Sequence, residues 1–408
     1  MAKSLILKEY DFLQCKDDQH PEYTYITPTT FEAIERFILE NEEKAQYLKI
    51  TTKRGFGKVL QAQNFVGVIQ TKDGTTIEIL PKIKELSNQD SRQIVLKMLK
   101  TLKDSPFKTL EHAHLKSENL PLLEIFIAMF LDELSQLIKK GIRSDYIAKE
   151  ENSPFLKGKL KINEQIKYNT IHKERFFVVY DEFSSDRVEN RLIKTTLHYL
   201  YKKSHSTKNQ QRIREFLFVF DAISTSNDIK NDFAKIKSNR QMKAYEQTLL
   251  WSKTFLLGNS FSPYKGDDLS FALLFDMNLL FESYVGAYLK KQNLNVSLQD
   301  RKHHLVEEPQ KFALRPDIVI AQEDETIIAD TKWKCIKEEK DISQADMYQL
   351  FAYGKKYQNQ KLFLIYPKDG EEQPQSLAYQ YEIEKSLELK VLYFDVTQDF
   401  KNYHFTLS

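Results

Sequence analysis

The rhythm of apolar and polar positions changes three times along the chain. Thr29–Glu43 carries Phe31, Ile34, Phe37 and Ile38 at helical spacing behind threonine cap candidates, which predicts an amphipathic helix. Short β-branched runs follow (LKITT, FGKVLQAQ, FVGVIQT and TTIEILPKI), each ended by a turn signal. VGVIQTKDGTTIEIL predicts a hairpin with Lys72, Asp73 and Gly74 at its tip. Ser91–Leu102 and the strongly apolar Leu120–Gly141 predict helices, as do Arg187–Tyr201 and Asn209–Ile223, with shorter strand-like runs around Pro154 and Gly158. Ser270–Gln292 predicts one helix. After it come the runs NVSLQD, LRPDIVIAQ and TIIADTKWK, a helix over Ser343–Tyr357, and the strands KLFLIYP and ELKVLYFDV. Continuous runs such as IVI, TIIA and LFLIY suit central strands covered on both faces. The expectation is an α/β multidomain chain. It has a β-rich N-terminal domain over 1–87, a mostly helical middle region with a small β insert over 88–265, and an α/β domain over 266–408.

Composition narrows the class. The 408 residues are 41% hydrophobic and 12% aromatic, enough for several buried cores, so a disordered chain is excluded. Eleven Gly and eleven Pro exclude collagen-like and low-complexity architectures, and no 20–50-residue period repeats. The longest apolar candidate, Leu120–Ile138, is interrupted by Glu124, Asp132 and Glu133, so no membrane span or membrane partner is expected. The start lacks a small-residue cleavage site, and Cys15 and Cys335 form no disulfide framework or metal pattern. A soluble cytoplasmic protein is expected. Sixty Lys+Arg against 58 Asp+Glu leave a net charge of +2, which permits nucleic-acid binding without arguing for it.

The chemistry concentrates in one place. Asp317 lies on LRPDIVIAQ and Asp330 on TIIADTKWK, with polar Gln322–Glu325 between them as the turn of an antiparallel hairpin. Asp317 stands seven residues before Asp324 and Asp330 six after it, so the carboxylates should lie nearly opposite. Asp330 and Lys332, two apart on one strand, share a face. Three charged groups at the end of an apolar hairpin are costly unless neutralised. Two carboxylates with the Thr331 carbonyl make an open oxygen site suited to Mg²⁺. Such an ion polarises a phosphodiester and activates water, while Lys332 orients or deprotonates that water or steadies the phosphate charge. The alternative is a salt-bridged Asp–Lys pair at a strand end.

Pro316-Asp317 with Asp330-Thr331-Lys332 resembles the PD-(D/E)xK motif of the restriction-endonuclease-like nucleases. In that family the first helix commonly adds an acidic residue. Glu282 is the matching position and reads as a metal or water-shell group, or as part of a solvated helix face. Gln349 and Tyr353 have the Gln-x-x-x-Tyr spacing of RecB-like members. They face the site or a DNA phosphate, or they are ordinary packing.

The whole chain resembles the McrC family, the nuclease subunit of the McrBC modification-dependent (5-methylcytosine) restriction system. The matching stretches are FVGVIQTKDGTTIEILPKI, SPFLKGKLKINEQI, DEFSSDRVENRLIKTTL, FDMNLLFESYV and RPDIVI…IIADTKWK. This resemblance implies an endodeoxyribonuclease using Mg²⁺, with Mn²⁺ as a substitute, acting on double-stranded modified DNA. It also implies a McrB-like AAA+ GTPase hexamer as partner, docked by the β-rich N-terminal region. Lys53-Arg54-Gly55-Phe56-Gly57-Lys58 lacks the spacing and hydroxyl of a P-loop, so no nucleotide is expected on this chain itself.

Other motifs read as structural or open. Asp181, Glu182 and Asp186 are carboxylates able to bind a metal, but Asp186 with Glu189 better fits a capping box for the helix that starts at Arg187. Asn190 and Arg191 serve structural hydrogen bonds, or contact DNA or the GTPase. His303 and His304 read as surface residues or phosphate contacts, and Trp333 as core. Two rivals stand beside the main reading: a stand-alone nuclease of the same fold in DNA repair, and a non-catalytic adaptor that activates a nucleotide-hydrolysing ring.

Overall fold

The computed structural model describes residues 4–15, 23–41, 46–103, 105–109, 120–236, 240–257, 269–292, 294–321, 326–336, 338–358, 361–370, 376–382, 384 and 386–407. The chain forms two compact units, residues 1–122 with 261–408, and residues 123–260. The first unit opens with β1 (Ser4–Lys8), β2 (Phe12–Gln14), β3 (Tyr23–Tyr25), α1 (Pro28–Asn41), β4 (Leu48–Lys53), β5 (Gly57–Ala62), β6 (Phe65–Thr71), β7 (Thr76–Leu80) and α2 (Asn88–Leu99). Helix α1 starts where the Thr27 hydroxyl accepts the Thr30 N–H at 3.2 Å. Its Phe31, Ile34, Phe37 and Ile38 enter a core with Leu13, Leu60, Ile69 and Ile77. The hairpin β6–β7 has the expected tip. Burial opposes ionisation of Asp73 there, yet donors from Thr30, Thr71 and Thr75 hold its carboxyl down at about 2.

Residues 123–260 hold most of α3 (Leu122–Lys139), then β8 (Asp145–Ser153), β9 (Lys159–Leu160), α4 (Ile162–Asn169), β10 (Phe176–Ser184), α5 (Val188–Lys203), α6 (Thr207–Val219), α7 (Ile229–Lys235) and α8 (Glu246–Leu257). The β insert is a three-stranded sheet in the order β8-β10-β9. Strand β10 has no counterpart in the elements expected from the sequence. Buried Glu124 caps the start of α6, accepting from Ser204 Oγ at 2.8 Å, Asn209 Nδ2 at 2.7 Å and the Ser206 N–H at 3.0 Å. Asp186 does not cap α5. Arg191 takes it instead through Nε and Nη2 at 2.9 and 2.7 Å, and Ser224 donates to it as well. Asn190 is structural: it donates to the Arg143 and Ser185 carbonyls and accepts from the Tyr245 hydroxyl.

The chain returns to the first unit with β11 (Leu269–Asp276), α9 (Met277–Lys291), β12 (Val296–Leu298), β13 (His304–Val306), β14 (Lys311–Ala313), β15 (Ile318–Ala321), β16 (Thr326–Thr331), α10 (Gln344–Tyr357), β17 (Lys361–Pro367), β18 (Leu377–Gln380) and β19 (Glu388–Phe394). The single helix expected over Ser270–Gln292 is a strand and then a helix. LSFALLFD is apolar at successive positions without a helical stripe, and it completes the sheet β1-β7-β6-β11 by pairing antiparallel with β6. Gly67 permits that pairing. At φ +139°, a Cβ there would lie 2.1 Å from the Leu273 carbonyl oxygen. Strand β11 joins the N-terminal sheet, and residues 1–122 and 261–408 form one compact unit.

The last sheet is mixed and six-stranded, in the order β12-β15-β16-β17-β19-β18. Strands β12, β15 and β16 are antiparallel, whereas β16, β17 and β19 run parallel. Helix α10 makes the crossover between β16 and β17. Its Leu350 and Tyr353 share a core with Ile328, Leu362, Leu364 and Leu389.

Candidate active site

The hairpin β15–β16 brings the two carboxylates together. Ile318 pairs with Ala329 and Ala321 with Thr326, so the next step along the ladder sets Asp317 opposite Asp330. The turn residues 322–325 lie outside the described residues. Asp317 Oδ2 accepts from the Thr331 N–H at 2.8 Å and the Thr331 hydroxyl at 2.9 Å. Thr331 therefore acts as a donor that fixes Asp317. Lys332 Nζ stands 2.7 Å from Asp330 Oδ2 and 3.8 Å from Asp346 Oδ1. The Lys332 N–H donates to the Ile365 carbonyl at 3.0 Å, which extends the β16–β17 ladder and holds the side chain's root.

Asp330 is 1% exposed, and its Oδ1 has no donor among the described residues. The Lys332 contact at Oδ2 is a close ion pair. Burial raises both hairpin carboxyls above the usual carboxylate range. At Asp330 the charge of Asp317 adds to that rise and Lys332 offsets part of it. At Asp317 the Thr331 donors, Lys332 and Arg315 offset part of it. Burial by itself would lower the Lys332 ammonium, but Asp330, then Asp346 and Asp317, raise it, so the amine stays charged.

Glu282 comes from α9, whose start is capped by Asp276 accepting the Asn278 N–H at 2.8 Å. It is buried rather than on a solvated helix face. Burial and then the charge of Asp317 push its carboxyl up to about 7, although Gln299 Nε2 donates to it at 2.9 Å. Gln299 in turn accepts from Arg315. On α10, Gln349 Nε2 donates to the Tyr353 hydroxyl at 2.5 Å. Burial raises the Tyr353 phenol, the charges of Asp330 and Asp317 raise it further, and its ring packs in the core.

The sequence reading missed Asp346, Gln299, Asn278 and Glu9. Asp346 had a signal, since 346, 349 and 353 fall at i, i+3 and i+7 on one helix face. Trp333 is core, as expected, and is also tied. Its backbone N–H donates to Asn278 Oδ1 at 3.1 Å and its indole N–H to Glu9 Oε2 at 2.9 Å. Phe281 meets its ring edge-on at 5.4 Å. Burial pushes the Glu9 carboxyl up to about 7. His303 packs against Tyr357 at 4.3 Å and His304 opens β13, so neither joins the carboxylates.

The donors suit a hard cation. Oxygen is the chemistry of Asp317, Asp330 and Glu282, and an orphaned buried carboxylate oxygen is an acceptor waiting for positive charge. Among the described residues no three His, Cys, Asp or Glu side chains gather closely enough to enclose a metal ion. Glu282 thus shares the site's charge without completing a closed cage.

A family model described as the McrBC 5-methylcytosine restriction system component matches residues 60–367, a span that contains Glu282, Asp317, Asp330, Lys332 and Asp346. The chain belongs to the McrBC family. The McrBC-family chain is similar in fold to a chain of the refined half-complex from the tetradecameric assembly of Thermococcus gammatolerans McrB AAA+ hexamers with bound McrC. The TM-score is 0.68 at 18% identity, over 99% of this chain and 97% of that one. It is also similar to a chain of the Thermococcus gammatolerans McrBC complex, with a TM-score of 0.50 at 18% identity, over 74% and 90% of the two chains. No curated protein matches its sequence. Among the described residues no helix is long and apolar enough to cross a membrane.

Proposed function

We propose that this McrBC-family chain is the DNA endonuclease subunit of a modification-dependent restriction complex, with region 266–408 serving as a PD-(D/E)xK nuclease domain. The observation that carries the reading is the hairpin pair, Asp317 opposite Asp330, with a charged Lys332 at 2.7 Å and one Asp330 oxygen left without a donor among the described residues. A structural pair would be satisfied by its surroundings. This one is buried at a cost that only a further positive charge offsets.

Asp317 and Asp330 would hold Mg²⁺, or Mn²⁺ in its place, with Glu282 supporting its water shell. The ion supplies Lewis-acid polarisation of the phosphodiester and a lowered water pKa. Asp317, oriented by two Thr331 donors, presents its second oxygen in a fixed direction. Lys332 remains an ammonium because three carboxylates surround it. Its role is to place positive charge against the scissile phosphate and orient the attacking water rather than deprotonate it. Gln349 and Tyr353 position the site edge, with the Tyr353 hydroxyl as a donor toward a phosphate oxygen.

The solved Thermococcus gammatolerans assemblies place McrC with McrB AAA+ hexamers. We extend that arrangement to this chain and assign it a McrB-like AAA+ GTPase hexamer as partner, which it stimulates, and double-stranded modified DNA as substrate. The missing P-loop supports the division of labour. Restriction of a cytosine-methylated plasmid, in cells carrying this gene with its partner, tests the proposal. Lys332→Ala should abolish restriction while the purified variant still stimulates GTP hydrolysis. Full restriction by the folded variant would place the nuclease elsewhere and leave this chain as an adaptor.

A further inference from the structure

We propose that the groove beside Glu282 binds the phosphodiester backbone of double-stranded DNA, in sequence-independent contacts that deliver a strand to the hairpin carboxylates. The groove measures about 980 Å³ and runs between α9, strand β12 with the loop after it, and the chain around Lys103 and Lys108. Glu282 and Gln299, already part of the candidate site, line it directly, so the groove opens onto that site.

Four cations line the same space: Lys103, Lys108, Lys290 and Arg301. All four are exposed, and none forms an ion pair among the described residues. Elsewhere lysines commonly sit on a carboxylate, as Lys58 on Glu35, Lys82 on Asp11 and Lys149 on Glu182 do. In a chain whose net charge is only +2, four unpaired cations around one opening are a local field that the average composition does not supply. Glu282 is the one acidic residue among the described lining, and it sits at the site end. Long, flexible cations around a groove match regularly spaced phosphates rather than base edges, which are read by fixed hydrogen-bond pairs. The choice of DNA over another polyanion rests on the nuclease reading; the charge and shape of the groove do not.

Fluorescence anisotropy of a labelled duplex about 30 base pairs long, titrated with KCl, tests this on the full chain, alone and assembled with its GTPase partner. Each phosphate neutralised contributes about −0.9 to the slope of log affinity against log salt. Lys103→Ala/Lys108→Ala/Lys290→Ala/Arg301→Ala should therefore flatten the slope by about 3 to 4 and weaken binding at low salt at least tenfold. Lys139→Ala/Lys140→Ala, an exposed pair elsewhere, should leave it unchanged. Should the fourfold variant fold poorly, Lys290→Glu and Arg301→Glu should each cost about one unit of slope.

Unchanged slopes in the folded groove variants would overturn the proposal. So would retained duplex binding with loss of GTPase assembly, since that marks the groove as a docking site for an acidic protein surface. The nuclease reading is separated by Asp330→Asn, which should keep the wild-type slope. If neither the wild type nor Asp330→Asn cleaves while the groove variants lose slope, the groove stands and the nuclease reading falls. If the wild type cleaves and the groove variants keep their slope, the reverse holds.

Discussion

Glu78 and Asp330 are strand carboxylates in the same compact unit, each 1% exposed, and their surroundings treat them in opposite ways. Glu78, on β7, receives Arg92 Nε and Nη2 at 2.8 and 2.7 Å and the Leu122 N–H at 2.9 Å. Every part of its charge is answered by a bidentate guanidinium or a backbone donor. Asp330, on β16, has a second carboxylate opposite it, one lysine at close range and an oxygen with no donor among the described residues. Glu124 repeats the satisfied pattern in the second unit, held by two serines and Asn209. The fold can therefore neutralise a buried acid completely, and at Asp330 it does not. Among the described residues Asp330 is the one acid with buried oxygens that lack a hydrogen-bond donor, which is what the proposed ion site requires.

The contrast can be broken from either side. The largest expected effect is on chemistry. Asp330→Asn and Lys332→Ala should each lower DNA cleavage on the order of 10³-fold, about 4 kcal/mol in the barrier, while the chain stays folded. Circular dichroism melting of the metal-free Asp330→Asn chain should show a midpoint at or above wild type, because an uncompensated buried charge has gone. Glu78→Ala should do the opposite. It strands Arg92 and should cost about 3–5 kcal/mol in urea unfolding, with cleavage per folded molecule near wild type. A loss of less than 1 kcal/mol would mean that Glu78 is not structural in the sense argued.

A third effect is pH dependence without added metal. Glu9 has a folded pKa of about 7, raised from 4.5 by burial. Its folded form thus holds a proton that the unfolded chain releases. That contribution is fully present below pH 4.5 and is lost as pH rises through 7, about 3 kcal/mol for a shift of this size. Melting should fall between those limits, and Glu9→Gln should flatten part of the slope. Mg²⁺ should flatten the share due to Glu282 and Asp330 while leaving that of Glu9. The smallest effect is Glu124→Gln, which keeps the shape but weakens its charged acceptors, at about 1–3 kcal/mol by thermal melting.

What could be read from the sequence follows from local rules. The opposition of Asp317 and Asp330 was legible because a short polar turn fixes a hairpin's register. The tip at Lys72–Gly74 and helix α1 were legible through turn chemistry and helical spacing. Strand β11 was not, because LSFALLFD is apolar at successive positions, and only pairing with β6, some 200 residues earlier, decides its state. Asp186 looked like a cap from spacing alone, but Arg191 and Ser224 compete for the same oxygens and win. Glu9 and Glu78 gave no warning, since a buried acid is distinguished from an exposed one only by partners that the fold brings to it.

The most direct test is cleavage of a methylated duplex by the chain assembled with the proposed GTPase partner, wild type against Asp330→Asn, with Mg²⁺ present. The account predicts that the variant binds the duplex and the partner, stimulates GTP hydrolysis and leaves the DNA intact. Cleavage within a few-fold of wild type by the folded variant would contradict it.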